Sequence, residues 1–235
     1  MIYRDYLRGI NDSFELHYKY SDIFAGFGKL TMNRDIFYDR LHAALIALYD
    51  NLESYISEHK TFKTTLEPWE DKADNDLIAK MIKYTSIANV GPMASVAGVF
   101  ADEILDEAEK YTDTVFIENG GDIALMNEQD SHVMAYSGNT EITKRIILKL
   151  PPGRWGVASS SGRFGHSLSF GQADLVTIVA ENAARADSFA TAIANRVVPG
   201  AEPEGLLAEY SDLNAVLIIW NGKMWYKGEF ELLFD

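Results

Sequence analysis

The sequence predicts an α+β fold of antiparallel β-sheets with helices packed on one face. Three observations lead there. Helix-period apolar stripes are grouped in the first half. Short β-type runs separated by turn residues crowd the second half. Asn221-Gly222 stands between two of the last such runs, the pattern of a two-residue hairpin turn, because both positions tolerate positive φ. Hairpins with helices grouped between them build sheets that carry their helices on one side.

Taken in order, Phe14, Leu16, Tyr18 and Tyr20 alternate with polar residues and read as a half-buried strand. Asn33 suits the cap of a helix running to about Glu58, whose stripe is Ile36, Phe37, Leu41, Ala44, Leu45, Leu48, Leu52, Tyr55 and Ile56. Residues 61–74 read as a connection, and Asp74 as the cap of a helix reaching about Ser86. After Gly91-Pro92 a further helical pattern runs to about Tyr111, with proline suited to the first helical position. Strand-like runs follow at 114–118, 123–126, 133–137, 145–150, 156–159 and 175–180. A helix over 183–197 interrupts them, and strands at 215–220, 224–227 and 231–234 close the chain. No low-complexity stretch, linker or repeat divides it, so the expectation is one domain over 1–235. Trp220, Trp225 and Tyr226 read as core residues or as contacts of a homodimer.

The chain has 35 acidic and 21 basic residues, a formal charge of −14. That balance repels phosphate backbones and anionic lipid surfaces, which argues against nucleic acid or a membrane as partner. There is no cysteine, so disulfides, thiolate metal sites and cysteine nucleophiles are excluded. The first twenty residues carry no apolar core of a secretory signal, and no apolar run is long enough to span a bilayer. The expected location is the cytoplasm.

Four segments carry chemistry. In 118–122, Asn119, Gly120, Gly121 and Asp122 read either as a tight hairpin or as a place where backbone approaches a ligand, with Asp122 accepting its donors. In 90–98, Gly91, Ala94 and Ser95 open a helix whose unpaired N–H groups attract a pyrophosphate; alternatively, the small residues let the helix pack closely. In 159–167, Ser161, Gly162 and Arg163 suit a phosphate, and His166 can move a proton near neutral pH; the bland reading is a solvated loop. In 186–192, Asp187 and Thr191 lie one helical turn apart. A carboxylate and a hydroxyl on one face suit Mg²⁺. The competing reading is an acid in the first turn that complements the helix dipole.

These segments, in this order, resemble the signature of the ApbE-like superfamily, whose best-known members are FAD:protein FMN transferases. The phrases GPMASVAG, ENGGDIAL, ASSSGRFGHS and ADSFATAIANRV resemble a smaller, uncharacterised branch of it, over residues 88–197. The resemblance implies an ApbE-like, T-fold-related architecture. It implies that Asp187 and Thr191 hold Mg²⁺ beside the FAD pyrophosphate, with a backbone carbonyl near Ala94 as third ligand. It implies that Gly120, Gly121 and Asp122 line the flavin site, that His166 and Asp187 are the catalytic pair, and that FMN passes to a threonine or serine of an acceptor protein. Two departures stand out. Transferases carry a lysine where this chain reads Ala94-Ser95-Val96, and an Asp-Pro-x-Thr-Gly piece that is missing after His166. Two functions therefore remain open: an Mg²⁺-dependent flavin transferase, or a non-catalytic FAD or FMN binder or carrier that lost the transfer machinery.

Overall fold

The structure, a computed structural model, describes residues 10–135, 146–162 and 171–234. Eight strands form one sheet: β1 (Asp12–Tyr18), β2 (Ser21–Phe27), β3 (Val115–Asn119), β4 (Asp122–Asn127), β7 (Gly153–Ser160), β8 (Leu175–Ala180), β9 (Ala215–Trp220) and β10 (Lys223–Gly228). They lie side by side in that order, with each neighbouring pair antiparallel. A second sheet pairs β11 (Glu231–Phe234), β6 (Ile146–Leu150) and β5 (Ser131–Ala135), also antiparallel. The helices are α1 (Arg34–Glu58), α2 (Asp76–Ala88), α3 (Val96–Ala108), α4 (Ala183–Arg196) and α5 (Pro203–Glu209).

Apolar burial explains the layering. Leu16, Ile23, Ala25, Phe27, Val115 and Ile117 face α1, α2 and α3 in one core. Ala158, Val176, Ile178, Val216 and Ile218 face α4 and α5 in another. The opposite face of the large sheet presents Phe24, Phe116, Leu125, Val157, Val179 and Leu217 to Val133, Ile146, Leu148 and Leu150 of the small sheet. Strand β8 is covered on both sides, so all six of its residues are buried. Its sequence is accordingly apolar at every position but Thr177, whose hydroxyl pairs with that of Ser159, rather than alternating. Each large side chain removed from water in this way contributes about 1.5–3 kcal/mol.

Local signals set the boundaries. The side chain of Asn33 accepts from the N–H groups of Asp35 and Ile36, and α1 buries Phe37, Leu41, Leu45, Leu48, Tyr49 and Leu52 along one stripe. The cap of α2 is Asn75, not Asp74; its side chain accepts from the Ile78 N–H. Pro92–Ser95 forms a 3₁₀ turn, so α3 begins only at Val96. Two elements lie outside the sequence expectations: β2, almost wholly buried between β1 and β3, and the seven-residue α5. The stretch 61–74 contains most of a 3₁₀ turn, Lys60–Lys63, that buries Phe62. Both two-residue turns have positive φ throughout, Gly120 and Gly121 at 65° and 107°, Asn221 and Gly222 at 50° and 73°. That is the hairpin geometry whose twist matches the flanking strands. The C-terminal aromatics pack within the chain: the Trp225 indole donates to Glu204 of α5, and the Tyr226 hydroxyl to the Phe230 carbonyl. Among the described residues, no helix is long and apolar enough to cross a membrane.

Two glycines fix how α4 is seated. A Cβ on Gly156 of β7 would lie 1.9 Å from the Asn182 carbonyl carbon, and one on Gly98 of α3 would lie 2.4 Å from the Ala183 carbonyl oxygen. Backbone contact on two sides pinches the start of α4 between the sheet and α3.

Candidate functional site

Helix α4 enters the site with its first turn fully engaged. The Asn182 side chain accepts from the Arg185 N–H. The buried Asp102 carboxylate of α3 accepts from the N–H groups of Ala183 and Ala184, both at 2.9 Å. These contacts satisfy donors that a helix start otherwise leaves open. One turn later Asp187 points back to α3 and accepts from the Gly98 N–H at 3.0 Å. Thr191, half-buried, follows one turn beyond. The first turn of α4 contains no acid of its own. The dipole reading of Asp187 is therefore corrected: the carboxylate serving that helix start is Asp102, reaching over from α3.

The glycine hairpin closes on the same place. Asn119 and Asp122 face each other across the Gly120–Gly121 turn, and both are buried. The Asn119 amide donates to the Ala97 carbonyl at 3.2 Å, tying the hairpin to the residue before Gly98. A backbone hydrogen bond from Ser159, near the end of β7, reaches the Asp122 carboxyl. Gly120 and Gly121 are exposed, and a Cβ on either would meet nothing within 4 Å. Their φ values demand glycine for the turn itself, and the open space beside them leaves room for a ligand.

The electrostatics of this corner are one-sided. Burial pushes the Asp187 carboxyl up to about 7; the Gly98 N–H draws it down, and the Asp102 charge raises it further. Asp122 is held well above the usual carboxylate range, first by burial and then by the charge of Asp187, with Glu118 adding to it. Asp102 is pushed up to about 6 by burial, offset by its two N–H bonds and by Lys80 and Arg154. Those two cations act on Asp102. The charges acting on Asp187 and Asp122, among the described residues, are all negative. Behind Asp102 a cavity of about 180 Å³ is lined by Lys80, Tyr84, Asp102, Arg154, Glu181 and Asn182.

The remaining sequence-predicted residues divide. Ser95 is fully buried and its hydroxyl donates to the Pro92 carbonyl, which turns it inward rather than toward a ligand. Gly91 is also explained by packing, since a Cβ there would lie 2.1 Å from the Thr65 carbonyl oxygen. Ala94 sits in the 3₁₀ turn, half-buried, its N–H bonded to the Gly91 carbonyl. Because α3 starts at Val96, the Gly98 N–H belongs to its first turn, and Asp187 already occupies it. The Gly162 N–H donates to the Ala173 carbonyl at 3.0 Å and the Ser161 hydroxyl to the same oxygen at 3.5 Å. Arg163 and His166 lie outside the described residues. A separate donor cluster, Glu15, His17 and Asp22, is wholly exposed on β1 and β2.

Asp102 is the residue that sequence reasoning missed. Its signal was an acid four residues after Gly98, and so on the same helical face as that glycine.

A family model described as "AbpE bacteria" matches residues 4–228. A UPF0280 protein of Methanobrevibacter smithii is 36% identical over 204 residues, which cover 85% of this chain and 83% of that protein. A UPF0280 protein of Methanococcus vannielii is 43% identical over 154 residues, covering 63% of this chain and 62% of that protein. Among solved structures, the flavinyl transferase ApbE of Pseudomonas stutzeri superposes with a TM-score of 0.61 at 14% identity, covering 92% of this chain and 93% of that one. The ApbE protein of Thermotoga maritima gives 0.57 at 13% identity, covering 94% and 96%. At these identities the likeness is one of fold, and it extends over nearly the whole of both chains.

Proposed function

We propose, on the premise that this chain belongs to the family described as AbpE bacteria, that it is a single-domain flavin-nucleotide protein with an Mg²⁺ site on α4. One observation carries the reading. Asp187 and Asp122 crowd together beside the glycine hairpin, and no positive charge acts on either among the described residues. Two neighbouring carboxylates in a poorly solvated corner are costly unless a cation joins them. The donors at hand are oxygens: the Asp187 carboxylate, the Thr191 hydroxyl and a carbonyl near Ala94. That chemistry fits Mg²⁺, which takes one or two carboxylates and completes its shell with water and phosphate.

In this reading Asp187 and Thr191 would hold the ion, which when bound would supply Lewis-acid polarisation of the FAD pyrophosphate. The Gly120–Gly121 turn admits the nucleotide. Asp122, whose carboxyl is held well above the usual carboxylate range by burial and the Asp187 charge, offers a polar partner to it. Arg163 is the phosphate partner and His166 the acid/base group. The solved structures of similar fold are of proteins named flavin transferases, which supports transfer of FMN to a threonine or serine of an acceptor protein. A second reading, a flavin binder or carrier without transfer, is favoured by the 3₁₀ turn: Ala94 is apolar, and the Ser95 hydroxyl is turned inward.

The test is incubation with FAD, Mg²⁺ and threonine-bearing acceptor proteins, followed by mass spectrometry, with FAD binding followed by flavin fluorescence. An FMN adduct lost in Asp187→Ala supports the transferase. Mg²⁺-dependent FAD binding with no adduct supports the carrier. Absence of FAD and FMN binding, with or without Mg²⁺, refutes both.

A further inference from the structure

We infer that Asp102 is a positioning residue for the cation site, anchoring the first turn of α4 so that Asp187 and Thr191 face the glycine hairpin. The inference rests on the cation reading of Asp187 given above, and on a geometry that is reciprocal. From α3, Asp102 takes the first two N–H groups of α4, one on each carboxylate oxygen. From α4, Asp187 takes the Gly98 N–H in the first turn of α3. Asp102 is four residues after Gly98, and Asp187 is four residues after Ala183. Each helix therefore caps the other, one turn in from its own start.

This clasp fixes rotation as well as position. Turning α4 by one residue about its axis swings its side chains by about 100° and parts both carboxylates from their donors. The clasp is also close. A Cβ on Gly98 would lie 2.4 Å from the Ala183 carbonyl oxygen and 2.8 Å from the Asp187 Cβ, so backbone meets backbone at the crossing.

The carboxylate matters here because each N–H meets its own oxygen, Ala183 on Oδ1 and Ala184 on Oδ2. Asparagine supplies one acceptor and turns its NH₂ toward the second N–H, leaving a buried donor unpaired. Asp102 is 2% exposed, so water does not make up the loss. Lys80 and Arg154 line a cavity with it and offset its charge. Lys80 is held there by Glu103 and Asp106, and Arg154 by Asp106 and Glu109. Asp102 thus feels the counter-charges of Lys80 and Arg154, while its own charge acts on Asp187.

The experiment uses the full chain and Mn²⁺ as probe, with binding read by electron paramagnetic resonance at about pH 8. Asp102→Asn is expected to weaken Mn²⁺ binding about tenfold or more and to speed amide exchange at Ala183 and Ala184. Leu105→Ala, a cavity in the same helix at a fully buried position, is expected to lower the melting temperature while keeping Mn²⁺ affinity within about twofold. Wild-type affinity in Asp102→Asn overturns the inference, as does an equal loss in Leu105→Ala, which would make the effect one of general stability. A wild-type protein that binds no Mn²⁺ overturns the cation reading itself, and the positioning role with it. One measurement needs no variant. If the two sites are coupled, saturating Mg²⁺ slows exchange of the Ala183 and Ala184 amides in the wild-type protein, because coupling between sites is reciprocal. Unchanged exchange there overturns the inference even if Asp102→Asn does not fold.

Discussion

Cation binding at Asp187 should depend steeply on pH in a range where ordinary carboxylates are silent. Asp187 titrates at about 7 instead of 3.8, and burial is the main cause. A cation must displace that proton, so the deprotonated fraction sets the apparent affinity. That fraction is about one tenth at pH 6 and about nine tenths at pH 8, which makes affinity rise about tenfold from this group alone. Asp122 is raised as well and feels the Asp187 charge, so a second proton steepens the rise if it also leaves. The same group sets a pH profile for stability without metal. Its folded pKa lies above the unfolded one, so its contribution is complete below about pH 4 and is lost as pH rises through about 7. The gap corresponds to at most about 4 kcal/mol, and the partial exposure of Asp187 reduces it through solvent screening. Asp187→Asn, which keeps an acceptor for the Gly98 N–H, should therefore melt several degrees above the wild type at pH 8 and close to it below pH 5. Mg²⁺ should raise the melting temperature of the wild type at pH 8, much less at pH 6, and not at all in the variant. The assay is calorimetric titration with Mg²⁺ between pH 5.5 and 8.5 in two buffers of different ionisation enthalpy, beside thermal melts. An affinity that is flat across this range, with no proton released, would refute the placement of Asp187 in a poorly solvated acidic corner.

Three further perturbations separate packing from charge. Gly98→Ala sets a methyl group against the Ala183 carbonyl and the Asp187 Cβ; parting α3 from α4 should cost about 1–3 kcal/mol and weaken cation binding, and a melt equal to the wild type would contradict the contact. Asp187→Asn removes the like charge that raises Asp122, so the titration midpoint of Asp122, followed by carboxyl NMR, should move down; an unmoved midpoint would show the two acids to be independent. Gly121→Ala meets no neighbour but must hold a φ of 107°, so it should lose about 1–2 kcal/mol by backbone strain alone, and an unchanged denaturant midpoint would argue against this turn geometry.

The sequence was most legible where one local rule decides the outcome. The Asn33 cap, the α1 stripe, the Asn221-Gly222 turn and the strands at 175–180, 215–220 and 231–234 each follow from residues within one element, and the structure places them as expected. Strand β2 escaped because it is buried on both faces, which erases the alternation that marked β1. Helix α5 is only two turns long and offers too little period to read. At the site, the spacing of Asp187 and Thr191 is a local fact and was visible. What the sequence could not supply was the partner of each helix start. Asp102 meets Ala183 across 81 positions, and Gly98 meets Asp187 across 89. A helix start is a set of unpaired donors, and any acid in the chain is chemically able to answer it. Only the crossing of α3 over α4 decides which acid does. That crossing in turn depends on Gly98 and Gly156, whose missing side chains look in the sequence like any other small residue. The acid that seemed suited to the α4 dipole is thereby left for other work, because a different acid already holds that position. The case for a ligand at Asp187 rests on that exchange of roles: a carboxylate that no structural need of its own helix explains, set beside a second carboxylate and a glycine turn with open space around it.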